Sequence, residues 1–159
     1  MRWELIPMKV ILKNLKTAIF DVMETMFFLL PDMDGDVQLS ENEAGNLVPI
    51  HIGISGNPNY LLTFAFDKNL AGSMAVDLLG IDESELNDYI IQRCLKETAN
   101  IYGGKFLLSF EEEKDRNITL PSQSAENIFG SYETGTSEFF VLSFNDYILK
   151  ATIETVKKT

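Results

Sequence analysis

The stretch Glu97-Thr98-Ala99-Asn100-Ile101-Tyr102-Gly103-Gly104 lies inside a helical pattern and has an altered echo earlier in the chain, Glu24-Thr25-Met26-Phe27. Both copies begin with Glu-Thr; the second closes on Asn100 and the first on Phe27. Residues three apart on a helix share a face, so Glu97 and Asn100 present a carboxylate and an amide to one partner. The pattern alone is cheap, since Glu43-Ala44-Gly45-Asn46 matches it in a loop. What distinguishes the later copy is its context, with Ile118-Thr119-Leu120-Pro121 following about one strand downstream.

On a wheel of about 100° per residue, Ile90, Ile91, Cys94, Leu95, Thr98, Ile101 and Tyr102 fall within one half. Asp88, Gln92, Arg93, Lys96, Glu97, Asn100 and Gly104 fall in the other. Glu97 and Asn100 are therefore expected at the surface, with Arg93, Lys96 and Gly104 around them. A glycine at 104 leaves room for another protein's backbone to approach. The plain alternative is an exposed Arg93–Glu97 ion pair worth a few tenths of a kcal/mol. In that reading Asn100 is a polar residue near a helix end capped by Gly103 or Gly104.

Outward from this helix the chain reads as alternating helices and strands. A first helix is expected from about Lys13 to Leu30, stopped by Pro31, with Ile19, Val22, Met23, Met26, Phe27 and Leu30 as its buried stripe. Residues 1–8 read as a peripheral extension, and Asp32 to Gly45 as a polar loop. Leu47–Ser55 and Tyr60–Phe66 read as strands joined by the turn Gly56-Asn57-Pro58-Asn59. A short helix capped by Asp67 or Asn69 runs to Leu79 and stops at Gly80. Asp82 and Glu85 have the spacing of a capping box for the long helix. After a solvated charged run, residues 111–116, strands are expected near Asn117–Pro121, Glu126–Tyr132, Glu138–Phe144 and Ile148–Thr155, with turns at Gly135 and Asn145-Asp146.

Glu24-Thr25 and Glu97-Thr98 stand 73 residues apart; Phe66-Asp67-Lys68 and Phe144-Asn145-Asp146 stand 78 apart. A helix followed by antiparallel strands thus occurs twice, the mark of a duplicated unit. The expected fold is α+β, one domain over residues 1–159 with long helices packed on an antiparallel sheet.

The long-helix motif, its two glycines and the downstream Pro121 together resemble the chemotaxis phosphatase family of CheC and CheX, most of all its CheX-type branch. The resemblance implies a pseudo-symmetric duplication of the kind inferred from the repeat. It also implies a reaction: removal of the phosphoryl group from the aspartyl phosphate of a CheY-like response regulator. In such proteins the residue matching Asn100 orients the attacking water, and the residue matching Glu97 pairs with the regulator's active-site lysine. The regulator supplies the leaving group and a bound Mg²⁺, so positioning and electrostatics remain, and no cofactor of the protein's own is implied. The family carries Asp or Ser where this chain has Arg93, a cation placed to compete for Glu97. Phe27 in the first copy leaves that site dead, so one site is implied. A homodimer is implied too. The other reading is a non-catalytic binding module on the same fold, engaging a regulator or a flagellar-switch component.

Bulk properties are those of an ordinary soluble globular protein. At 45% hydrophobic and 23% charged residues, the 159-residue chain can bury a core. A net charge of −11 disfavours nucleic acid, which calls for clustered Lys and Arg, and disfavours a peripheral membrane role. The apolar segment Ala18 to Leu30 contains Asp21 and Glu24 and is too short to cross a bilayer. A single cysteine, Cys94, and a start without a signal-peptide pattern lead to a cytoplasmic expectation.

Four other candidates carry less. Counted from Asp32, carboxylates at positions 1, 3 and 5, Ser40 at 9 and Glu43 at 12 imitate a calcium loop. Val37 stands where that loop needs glycine, and a strand follows Glu43, so a solvated acidic loop is the better reading. His51 is alone in its strand without zinc spacing. Ser55, in Gly53-Ile54-Ser55-Gly56, falls short of a nucleophile elbow. Cys94 points to the apolar half of its helix and reads as inert core.

Overall fold

The computed structural model of the chain describes residues 7–32, 37–110 and 115–159. Pro7 precedes the first helix, α1 (Met8–Phe27), which buries Ile11, Leu15, Ala18, Ile19, Val22, Met23 and Phe27. The helix is shifted toward the N-terminus relative to the expected Lys13–Leu30. It ends before Pro31 because Phe28 turns left-handed (φ 55°), and Leu30 is exposed. Of the extension expected over residues 1–8, the first six lie outside the described residues; Met8 packs against the core.

Ser40 caps the short α2 (Glu41–Ala44) in a reciprocal capping box with Glu43. The chain then forms β1 (Leu47–Ser55) and β2 (Asn59–Asp67), a hairpin in the expected register range, with Ile52 opposite Leu62. Asp67 accepts from the Asn69 N–H at 2.7 Å and opens α3 (Lys68–Leu79), which Gly80 closes at φ 63°. Asp82 precedes only a 3-10 turn, Glu83–Glu85, and makes no side-chain cap. The long helix α4 (Asp88–Leu107) is capped instead by Asn87, whose side chain accepts from the Ile90 N–H at 2.9 Å.

Beyond α4, β3 is two residues, Asn117–Ile118, and Glu126–Phe129 is a short helix, α5, rather than a strand. The last hairpin joins β4 (Tyr132–Phe144) to β5 (Tyr147–Lys158). Its turn is Asn145-Asp146, both at positive φ as a two-residue hairpin of this hand requires. Gly135 is not a turn: it lies inside β4 at a register shift, where a Cβ would meet the Thr155 hydroxyl at 2.6 Å. Of the charged run 111–116, residues 111–114 lie outside the described residues. Arg116 is buried, not solvated: its guanidinium lies over the Tyr60 and Phe110 rings and donates to the Pro58 carbonyl at 3.0 Å.

The sheet order is β3-β1-β2-β5-β4, antiparallel throughout. Its four long strands read the same from either end, hairpin against hairpin about the β2–β5 contact, which is the expected pseudo-symmetry. The match between Phe66-Asp67-Lys68 and Phe144-Asn145-Asp146 does not follow that symmetry. Phe66 is the next-to-last residue of β2, whose mate is β5, whereas Phe144 ends β4. Helices α1, α3 and α4 cover one face, burying Ile50, Ile52, Phe64, Phe66, Leu149 and Ala151 among their own apolar residues. On the other face, Phe129 of α5 packs on Leu61 and Val156, so β2 is covered on both sides at that end.

Candidate functional site

The core contacts of α4 fix its rotation, and the rotation decides which residues meet solvent. Leu95, Ala99, Tyr102 and Phe106 are buried, and the Tyr102 hydroxyl donates to Met23 Sδ of α1 at 2.9 Å. Thr98 is also buried, its hydroxyl donating to the Cys94 carbonyl at 2.8 Å; Thr25 repeats this bond to Asp21 at 2.7 Å in α1. The two Glu-Thr copies are therefore locally alike. Burial pushes the Cys94 thiol up to about 11, which keeps it protonated and inert.

Glu97, Asn100 and Arg93 are exposed, and Lys96 and Gly104 are partly exposed, all on the face opposite Leu95 and Tyr102. The five sequence-predicted site residues thus come together. Arg93 makes no ion pair with Glu97. Its guanidinium lies 5.8 Å from the centre of the Tyr89 ring, one turn back, and among the described residues no ion pair engages Glu97. Gly103 and Gly104 are not a cap, because the helix continues to Leu107. They differ in role: a Cβ on Gly103 would lie 2.7 Å from Ile118 Cδ1, whereas one on Gly104 would meet nothing within 4 Å. In the first copy Glu24 is exposed but Phe27 is core, so no amide stands beside that carboxylate.

Lys96 also lines an open groove of about 540 Å³ with Lys68, Tyr89, Gln92 and Gln123. The Tyr89–Arg93 stack was readable as a spacing of four on a helix. Gln123 and Lys68 come from distant parts of the chain and left no local signal.

The remaining candidates are committed elsewhere. Both carboxylate oxygens of Asp32 serve the β4–β5 hairpin, accepting from Ser143 Oγ at 2.6 Å and from the Asn145 and Asp146 N–H groups at 3.0 and 2.7 Å. Ser40 and Glu43 are taken by the α2 cap. Asp34 and Asp36 of that loop lie outside the described residues. His51 Nδ1 is 2.8 Å from Thr63 Oγ1, and burial lowers its pKa, with Glu154 acting weakly in the other direction. The Ser55 hydroxyl donates to the Asn117 carbonyl at 3.1 Å. Among the described residues, no helix is long and apolar enough to cross a membrane.

No protein-family model matches the chain, and no curated protein does. Solved structures do. The chemotaxis protein CheX of Vibrio vulnificus superposes with a TM-score of 0.70 at 17% identity, over 92% of this chain and 96% of that one. The chain has the CheX fold. CheX of Desulfovibrio desulfuricans matches at a TM-score of 0.65 and 19% identity, over 93% of this chain and 99% of that one. CheX of Borrelia burgdorferi, solved as a complex with CheY, BeF3 and Mg²⁺, matches at 0.61 and 17% identity, over 92% and 97%. In this CheX-type frame α4 is one of the long helices over the sheet, with Glu97 and Asn100 on its open side.

Proposed function

We propose that the protein dephosphorylates the aspartyl phosphate of a CheY-like response regulator in the cytoplasm. The observation that carries this reading is the exposed pair Glu97 and Asn100 on one face of α4, with Arg93 turned onto Tyr89 and the surface at Gly104 open. A CheX-type fold, one example of which is held in a complex with CheY and Mg²⁺, supports the choice of partner.

In this mechanism Asn100 enters the regulator's active site and its amide holds a water in line with phosphorus. The water oxygen bonds to phosphorus as the bond to the aspartyl oxygen breaks. The aspartyl carboxylate leaves with the bonding electron pair, and the protons of the water depart with the released inorganic phosphate. An amide is too weak a base to take the proton; its contribution is orientation, for which misplacement by an ångström is worth about 100-fold. Glu97 anchors the complex on the regulator's lysine, Arg93 and Lys96 border that contact, and Gly104 lets the partner's backbone approach. The Mg²⁺ belongs to the regulator.

A second copy of the chain completes the proposed assembly. β4 is a sheet edge whose residues Glu133 to Phe139 are exposed, a row of backbone groups suited to pairing with another strand.

Phosphate release from phosphorylated regulators of the source organism tests the reading. Wild type should accelerate one of them, Asn100→Ala should fall by about 100-fold in turnover, and Glu97→Ala should act mainly through KM. A regulator that is bound in its phosphorylated form but never accelerated would reduce the protein to a binding module.

A further inference from the structure

Leu120 is 86% exposed, and among the described large apolar side chains only Phe28 is more so. A single exposed leucine is ordinary on a protein surface. This one differs in how it is held and in where it stands. On its N-terminal side, the Thr119 N–H donates to the Gly53 carbonyl and Thr119 Oγ1 accepts from the Gly53 N–H, both at 2.9 Å. On its C-terminal side, Ser122 exchanges backbone bonds with His51 at 2.7 and 2.9 Å, and Pro121 between them has a fixed φ. The backbone of Leu120 is thus clamped at both ends to the rigid edge of β1, so only its side chain has to be ordered on binding.

The same segment runs alongside α4. Ile118 packs where a Gly103 side chain would be, and Gln123 shares the groove of Gln92 and Lys96. Leu120, between these two contacts, therefore flanks the turn of α4 that carries Asn100. Toward the N-terminus of α4 the border of the site is polar and mixed in charge: Arg93 stacks on Tyr89, Asp88 pairs with Lys68, and among the described residues Lys96 pairs with no carboxylate. Leu120 adds an apolar side chain to this polar border.

We propose that Leu120 is a docking residue, burying its side chain against an apolar contact on the phosphorylated receiver domain beside the site that Asn100 enters. The inference rests on the phosphatase reading above. Burying most of a leucine side chain at an interface is worth about tenfold in affinity or more.

Steady-state phosphate release should be measured with a CheY-like regulator charged by a small-molecule phosphodonor, using wild type, Leu120→Ala, Leu120→Met and, as a control on an exposed apolar residue in the first turn of α1, Val10→Ala. Leu120→Ala should raise KM about tenfold with kcat within about twofold, Leu120→Met should restore KM, and Val10→Ala should match wild type. An unchanged KM in Leu120→Ala, or an equal rise in Val10→Ala, overturns the docking role while the phosphatase reading stands. A loss confined to kcat overturns it as well. If wild type accelerates no regulator, the phosphatase reading fails instead, and equilibrium binding of the charged regulator then decides: weaker binding by Leu120→Ala keeps the contact, equal binding removes it.

Discussion

The carboxylate of Asp32 shows how a residue that imitates a ligand can be structural. Its three accepted hydrogen bonds tie the loop after α1 to the tip of the β4–β5 hairpin, where Asn145 and Asp146 expose N–H groups in the left-handed region. The Ser143 hydroxyl and the Asp146 N–H are the main reasons its pKa lies below the ordinary 3.8. Because the unfolded carboxyl takes up its proton at higher pH than the folded one, this stabilisation is present above 3.8 and is lost as pH falls through the lowered folded value. Asp32→Ala should therefore cost about 1–2 kcal/mol in urea unfolding at pH 7, a figure kept small by solvent screening. The difference from wild type should shrink at pH 3 and below. A gap that is independent of pH would mean that the charge contributes nothing.

At the scale of the element, α4 uses its two adjacent glycines for opposite purposes. Gly103 lets β3 approach, with Ile118 and Ile52 filling the space a side chain would take. Gly104 faces open space, so its missing side chain serves no packing in the monomer. Alanine in a helix interior is favoured over glycine by about 0.8–1 kcal/mol. Gly104→Ala should accordingly raise stability by about that much, and Gly103→Ala should gain nothing because Ile118 must move. Thermal unfolding of the two variants separates them. In the phosphatase assay Gly104→Ala should raise KM, since a Cβ occupies the partner's approach; stabilisation with an unchanged KM would remove Gly104 from the interface.

At the scale of the whole molecule, the sheet's two ends are treated differently. The β1 edge is covered by β3 and by the His51–Ser122 bridge. Among the described residues, the β4 edge is covered in its second half alone, where the Asp32 and Val37 N–H groups donate to the Ser143 and Val141 carbonyls at 2.8 and 3.3 Å. Two copies paired through the open half of β4 should sediment at twice the 17.9 kDa chain mass. Thr136→Lys, which sets like charges near the two-fold axis, should shift the mass toward one chain. A wild-type mass of one chain would leave the edge unpaired.

Much of this architecture was legible in local patterns. The β1–β2 hairpin, the Asp67 cap, the Asn145-Asp146 turn and the solvent-facing side of α4 follow from periodicities and turn chemistry that operate within a few residues. The sequence by itself also determined that Glu97 and Asn100 share a face and that Phe27 cannot replace Asn100. Tertiary structure decided what depends on contacts between distant residues. Arg116 leaves a charged run because Tyr60 and Phe110 offer it aromatic faces. Residues 126–129 coil into a turn of helix whose Phe129 covers Leu61 and Val156 on the outer sheet face. Gly135 stays within a strand because Thr155 of β5 occupies the space beside it. The clamping of Leu120 belongs to the same class, since it is made by Gly53 and His51, more than 60 residues away in sequence. Such long-range pairings are selected by the burial of the whole core, and no short window of sequence contains both partners.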